Sequence, residues 1–239
     1  MEEIFSAKNI TKKFGELVAV DELCFEVYKG EILGLMGPNG AGKTTVFNLI
    51  TGVHPPTSGK IYFEGTEISN VPAWKRCRMG IGRTYQVPLP FERMTVYENV
   101  LVGVAHGNGL WGRTAYKQAF DTIEICGLHG KKDILAGKLS LLDRKRLELA
   151  KALSSSPKLL LIDEVAAGLT EPEADLLFKL VKSINDEGIT IIWVEHILKM
   201  MQGVDRLLVI MKGQNLCCGC LEDVMNNKDV HEAYLGVEA

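Results

Sequence analysis

The chain has little excess of either charge sign: 27 basic against 30 acidic side chains over 239 residues leave a formal net charge of −3. No polybasic footprint therefore points to nucleic acid, and the acidic surplus is too small for a charge-driven disordered chain. No run reaches the ~18 to 20 apolar residues needed to cross a bilayer. The uncharged segment 99–112, for instance, is broken by His106 and several glycines. The opening MEEIFSAKNI is acidic where a secretory signal is basic and lacks an apolar core, so a cytoplasmic protein with reduced thiols is expected. Cys24, Cys77 and Cys126 are isolated. Cys217, Cys218 and Cys220 cluster without a second cysteine pair or a nearby histidine to complete a tetrahedral ligand set. A short strand over 216–221, with cysteine packing as a small hydrophobe, is expected there instead. Internal repeats and low-complexity tracts are missing as well. What is present is 46% hydrophobic side chains, enough for a sizeable core in one large domain or one domain with an insert.

Residues 4–27 alternate apolar and polar side chains around a turn at Gly15 and Glu16, which predicts an antiparallel strand pair leading into a strand at 31–36. Tyr62, Phe63 and Ile68 continue that style after the turn-rich HPPTSGK, whose tip is expected at 57–60. Between 94 and 153 the spacing becomes helical, through Val96, Val100 and Val104, then Phe120 and Ile123, then Leu147, Ala150 and Leu153. Beyond Pro157 a buried-strand run, Leu159 to Ile162, precedes a helix over 173–187, a strand over 189–194, another helix and a strand over 207–211. Alternation of this kind predicts an α/β fold with a parallel sheet flanked by helices, opened by a mixed sheet and carrying a helical insert.

One segment carries the chemistry. Gly37, Pro38, Asn39, Gly40, Ala41, Gly42, Lys43, Thr44 and Thr45 follow the apolar run 32–36 and precede a helix-like stretch over 46–50. The spacing of Gly37, Gly42, Lys43 and Thr44 fits a P-loop, in which glycines let successive backbone N–H groups point at phosphate oxygens. Lys43 is expected between the outer phosphates of a triphosphate. Thr44 offers its hydroxyl to Mg²⁺, and the following helix adds its positive end.

Leu159 to Ile162 end in Asp163 and Glu164. In a parallel sheet the C-terminal strand ends share one edge, so these carboxylates are expected beside the phosphate loop. Asp163 is expected to hold Mg²⁺ through its water shell, and Glu164 to orient or deprotonate the attacking water. The apolar run 191–194 ends in Glu195 and His196, and His196 is expected to donate a hydrogen bond to the γ-phosphate.

Together these residues resemble the ATP-binding subunit of an ABC transporter over nearly the whole chain. The resemblance implies an ABC-type P-loop ATPase using ATP and Mg²⁺, with an antiparallel β subdomain at the N-terminus. Residues 1–86 and 155–239 form its nucleotide-binding core, and 87–154 form a helical subdomain with a partner-facing loop. It also implies that Gln86, in RTYQ, touches Mg²⁺ and water, and that Phe14, in KKFG, stacks on adenine. More narrowly, GRTYQ, FERMTVYENVLVG, DEVAAGL and EAYLG look like the branched-chain amino-acid group of such subunits. That group implies a peripheral position on the cytoplasmic side of the membrane and transmembrane permease partners, met in part through 87–99. It also implies a solute-binding protein and a second ATP-binding subunit, either a different chain or another copy.

The family pattern fails in one place. Its signature loop, usually LSGGQ, opens a helix that acts on ATP held by the opposite subunit; here Leu139, Ser140, Leu141, Leu142 and Asp143 stand there. Ser140 still suits an N-cap, but Cβ atoms replace two glycines and Asp143 adds negative charge. Losing one well-placed donor to a transition-state oxygen costs on the order of 3 kcal/mol, or ~100-fold in rate. Val165 replaces the usual proline after the acidic pair, and Thr170 the usual aspartate of the loop that links the two sites. The site completed by LSLLD is thus expected to be slow or merely to bind.

Overall fold

A computed structural model describes residues 2–195 and 201–235. In chain order its strands are β1 (Glu3–Phe14), β2 (Leu17–Tyr28), β3 (Ile32–Met36), β4 (Ser58–Phe63), β5 (Thr66–Glu67), β6 (Ile81–Arg83), β7 (Leu159–Asp163), β8 (Thr190–Val194), β9 (Arg206–Met211) and β10 (Gln214–Gly219). The helices are α1 (Lys43–Thr51), α2 (Ala73–Met79), α3 (Val96–Gly107), α4 (Gly112–Ile125), α5 (Leu141–Leu153), α6 (Glu171–Asp186), α7 (Leu221–Met225) and α8 (Lys228–Leu235). The chain divides into two units, one within Met1–Arg76 and Gly188–Ala239, the other spanning Cys77–Glu187.

In the first unit β1 pairs antiparallel with β2 and with β4, and β5 extends the sheet beyond β4. The hairpin closes through Gly15 at φ +59, where the sequence places its turn. The expected tip at 57–60 is corrected: β4 already begins at Ser58, and Ser58 and Lys60 face Thr11 and Lys8 of β1. Gly59 does not turn the chain. It lets β4 approach the bulge of β1 so closely that a Cβ would meet the Asn9 carbonyl oxygen at 2.2 Å. A second sheet in this unit sets β3 parallel to β8 and β9, with β10 antiparallel to β9. All five residues of β3 and of β8 are buried, as continuous apolar runs in parallel sheets require.

The strand expected over 216–221 is there as β10, with Cys217 half-buried in it, but its end is corrected: β10 stops at Gly219, Cys218 and Cys220 are exposed, and the Cys220 sulfur accepts from Asp223 N–H as the N-cap of α7. Among the described residues no three His, Cys, Asp or Glu side chains are grouped to hold a metal.

In the second unit β6 lies parallel to β7, whose five residues are all buried. The expected helical stretch resolves into α3, α4 and α5. Thr95 starts α3, its hydroxyl accepting from Glu98 N–H while Glu98 Oε2 accepts from Thr95 N–H, which satisfies two end donors at once. Helix α6 begins at Glu171, two residues ahead of the sequence expectation, because Glu173 Oε2 accepts from the Thr170 N–H and hydroxyl. No helix of the described residues is long and apolar enough to cross a membrane.

Candidate functional site

The phosphate loop lies in the first unit, between β3 and α1. Three of its glycines have different local reasons to be glycine. A Cβ on Gly37 would meet the Ile210 carbonyl oxygen at 2.4 Å, and one on Gly42, at φ +105, would meet that of Ala19 at 2.5 Å. Gly40, at φ +81, has nothing within 4 Å of such a Cβ, so its surface is the open side of the cradle. Ala41 closes the turn by donating to Pro38 O at 3.1 Å, and Gly213 N–H anchors Ala41 O at 2.9 Å.

Helix α1 starts behind the Gly42 cap with no side-chain cap and no acidic residue in its first turn. Its leading N–H groups and the positive end of its dipole therefore face the loop without a local anion. Lys43 is 8% exposed, and its ammonium donates to Gly37 O at 2.7 Å and Pro38 O at 3.1 Å, inside the loop's own carbonyls. Thr44 is exposed and Thr45 half-buried at the same helix start. An open cradle, an uncapped helix start and a lysine held in the turn fit a phosphate chain.

Phe14 is exposed at the end of β1, with its ring edge-on to His54 at 5.3 Å and the Lys12 ammonium 5.2 Å from its centre. His196 lies outside the described residues.

The second unit brings Gln86, Asp163 and Glu164 together. Asp163 ends β7; its N–H donates to Thr84 Oγ1 at 3.2 Å, and its Oδ2 accepts from Arg83 Nη2 at 3.0 Å. Glu164, one residue past the strand, is held in the left-handed region at φ +43, where a residue with a Cβ is strained by about 1–3 kcal/mol. Its Oε2 accepts from the Gln86 amide at 2.5 Å. Within this unit the Gln86 amide oxygen and the Asp163 carboxylate are oxygen donors of the hard type that suits Mg²⁺, which takes few protein ligands when substrate phosphates and water supply the rest.

Sequence reasoning missed two basic residues here. Arg83 neutralises Asp163, and the β6–β7 register, with Arg83 opposite Leu161, is the signal that places it beside the strand end. Lys145, buried on α5, donates to the Gln86 carbonyl at 2.5 Å, and no spacing in the sequence marks it.

The signature residues open α5 in the same unit. Ser140 is its N-cap, accepting from Asp143 N–H at 3.3 Å. Leu141 is 43% exposed and Leu142 half-buried, so their side chains stand at the helix start. The charge that Asp143 adds is neutralised: its side chain, 5% exposed, accepts from the Lys131 ammonium and the Ser140 hydroxyl, with Arg146 at 3.8 Å. Burial pushes its pKa up, but these hydrogen bonds more than reverse that and leave it below the usual carboxylate value.

The family described as ABC transporter matches residues 20–167. The high-affinity branched-chain amino acid transport ATP-binding protein LivG of Escherichia coli (strain K12) is 37% identical over 249 residues, covering 98% of each chain. The protein of the same description, BraF, of Pseudomonas aeruginosa is 35% identical with the same coverage. Among solved structures, the ADP conformation of MJ1267, an ATP-binding cassette of an ABC transporter, superposes with a TM-score of 0.91 at 33% identity, covering 99% of this chain and 100% of that one.

Proposed function

This chain belongs to the ABC transporter family as an ATP-binding and ATP-hydrolysing subunit, and from that premise we propose that it energises the import of branched-chain amino acids. The substrate class rests on the printed functions of LivG and BraF, similar along almost their whole length. Hydrolysis by the residues assigned here rests on one observation above all, the Gln86 amide held on the carboxylate of Glu164.

The backbone of Gly37 to Thr45 binds the triphosphate, with Lys43 turning from its loop carbonyls to the outer phosphate oxygens. Thr44, Gln86 and Asp163 are the residues that would hold Mg²⁺, which when bound offsets phosphate charge. Glu164 orients the attacking water and takes its proton, while the Gln86 amide keeps the carboxylate in place. His196 donates to the γ-phosphate, and Phe14 stacks on adenine. Ser140, Leu141, Leu142 and Asp143 act on the nucleotide of a second ATP-binding subunit. The chain works peripherally on the cytoplasmic side of the membrane, with transmembrane permease subunits, a solute-binding protein and no nucleic acid.

Uptake of labelled leucine, isoleucine and valine by vesicles holding the chain with its permeases and binding protein tests this. Uptake that needs ATP and disappears in Lys43→Ala is expected. ATP hydrolysis in those vesicles that none of the three amino acids stimulates, with no uptake, contradicts the assigned substrate class.

A further inference from the structure

A lysine ammonium taken out of water needs hydrogen-bond acceptors to offset its lost hydration. Lys145, in the second turn of α5, is 2% exposed, and its ammonium donates to the backbone carbonyl of Gln86 at 2.5 Å. Gln86 sits in the irregular segment between β6 and α3, itself exposed, so no strand or helix ladder fixes its backbone. Further along α5, Lys151 donates to Leu89 O at 2.8 Å. Helix α5 thus grips this segment at two carbonyls. The one taken by Lys145 belongs to the residue whose side-chain amide reaches Glu164 Oε2.

We propose that Lys145 is a positioning residue for ATP hydrolysis: by fixing the carbonyl of Gln86 it sets the height of the Gln86 amide, and through it the place of the Glu164 carboxylate. The inference rests on the reading of Glu164 as the group that acts on water. Lysine suits the task because its four-carbon stem is long enough to span from the helix to the loop and ends in a donor. Arginine keeps a donor at that reach; methionine keeps the stem and removes the donor. Because Lys145 works on a backbone atom of Gln86, the two residues act in series. Without the Gln86 amide, a well-placed loop carbonyl no longer places Glu164.

A kinetic cycle on the assembled transporter, varied in this chain only, tests this. Steady-state ATPase rates are measured for Lys145→Met, Lys145→Arg, Gln86→Ala and the Lys145→Met/Gln86→Ala pair, with Glu164→Gln as reference. Lys145→Met is expected to lower kcat by ~10-fold with KM for Mg-ATP within about twofold, as displacement of a catalytic group predicts. Lys145→Arg recovers most of the rate, and Lys145→Met in the Gln86→Ala background changes kcat by less than about twofold. An equal fall in both backgrounds, or no fall in either while Glu164→Gln still abolishes turnover, overturns the positioning role and leaves the ATPase reading intact. Wild-type turnover no higher than that of Glu164→Gln overturns that reading and this inference with it. Should Lys145→Met not fold, Lys145→Gln, which keeps a shorter stem that cannot reach the carbonyl, takes its place with the same outcomes.

Discussion

Ser140 and Asp143 exchange two hydrogen bonds: the hydroxyl of Ser140 accepts from Asp143 N–H at 3.3 Å and donates to Asp143 Oδ2 at 2.7 Å. The single hydroxyl hydrogen of Ser140 is thereby committed to a carboxylate inside its own loop. With Lys131 on the same oxygen, the start of α5 is a closed set of charges and not an exposed negative group.

Asp143 gives a pH dependence whose sign follows from its depressed pKa. A carboxyl whose folded value lies below its unfolded one, near 3.8, contributes stability that is fully present above 3.8 and lost as pH falls through the folded value. Asp143→Asn lacks that contribution. The difference in Tm between wild type and Asp143→Asn is therefore expected to be largest above about pH 5 and to shrink below about pH 3.8. A difference that stays constant or widens on acidification contradicts the assignment.

The signature departure has a kinetic consequence in the assembled transporter. With the Ser140 hydrogen committed, backbone N–H groups at the start of α5 are the donors left for a partner-held phosphate, and the Leu141 and Leu142 side chains stand beside them. Joint Leu141→Gly and Leu142→Gly substitution is expected to raise ATPase activity per complex, by up to ~100-fold at the site this chain completes. Unchanged activity per complex rules out a weakened site.

Gly42 and Gly40 separate fold from binding. Gly42→Ala drives a methyl against the Ala19 carbonyl at positive φ, whereas Gly40→Ala meets only open space at positive φ. Thermal unfolding with and without Mg-ATP reads both effects. Gly42→Ala is expected to lower Tm by several degrees and to lose nucleotide stabilisation, while Gly40→Ala lowers Tm less yet still loses most of that stabilisation. Full retention of the Mg-ATP shift in Gly40→Ala contradicts the placement of phosphates against its open side.

Much of the fold was legible because periodicity reports burial directly. The run at β3 and the apolar stretches 159–162 of β7 and 191–194 of β8 are fully buried, and the hairpin around Gly15 and the helices α3 to α6 stand close to their expected positions. Gly59 was misread because glycine marks close approach as readily as a turn, and only the partner strand distinguishes the two. Cys220 was misread because a thiol that packs and a thiol that caps a helix look alike in sequence. Within the site, Gln86 and Glu164 were legible as residue types. Arg83 and Lys145 were not, since a basic residue becomes part of a site only when strand register or a helix face aims it there. The charge of Asp143 was legible and its neutralisation was not, because Lys131 reaches it across a loop.

The most direct test is phosphate release by the assembled transporter under saturating Mg-ATP, with this chain as wild type or as Glu164→Gln, and Mg-ATP affinity measured on both. The account predicts that Glu164→Gln retains affinity within a few-fold while turnover falls by ~100-fold or more. Equal turnover in the two proteins contradicts Glu164 as the group that acts on the attacking water.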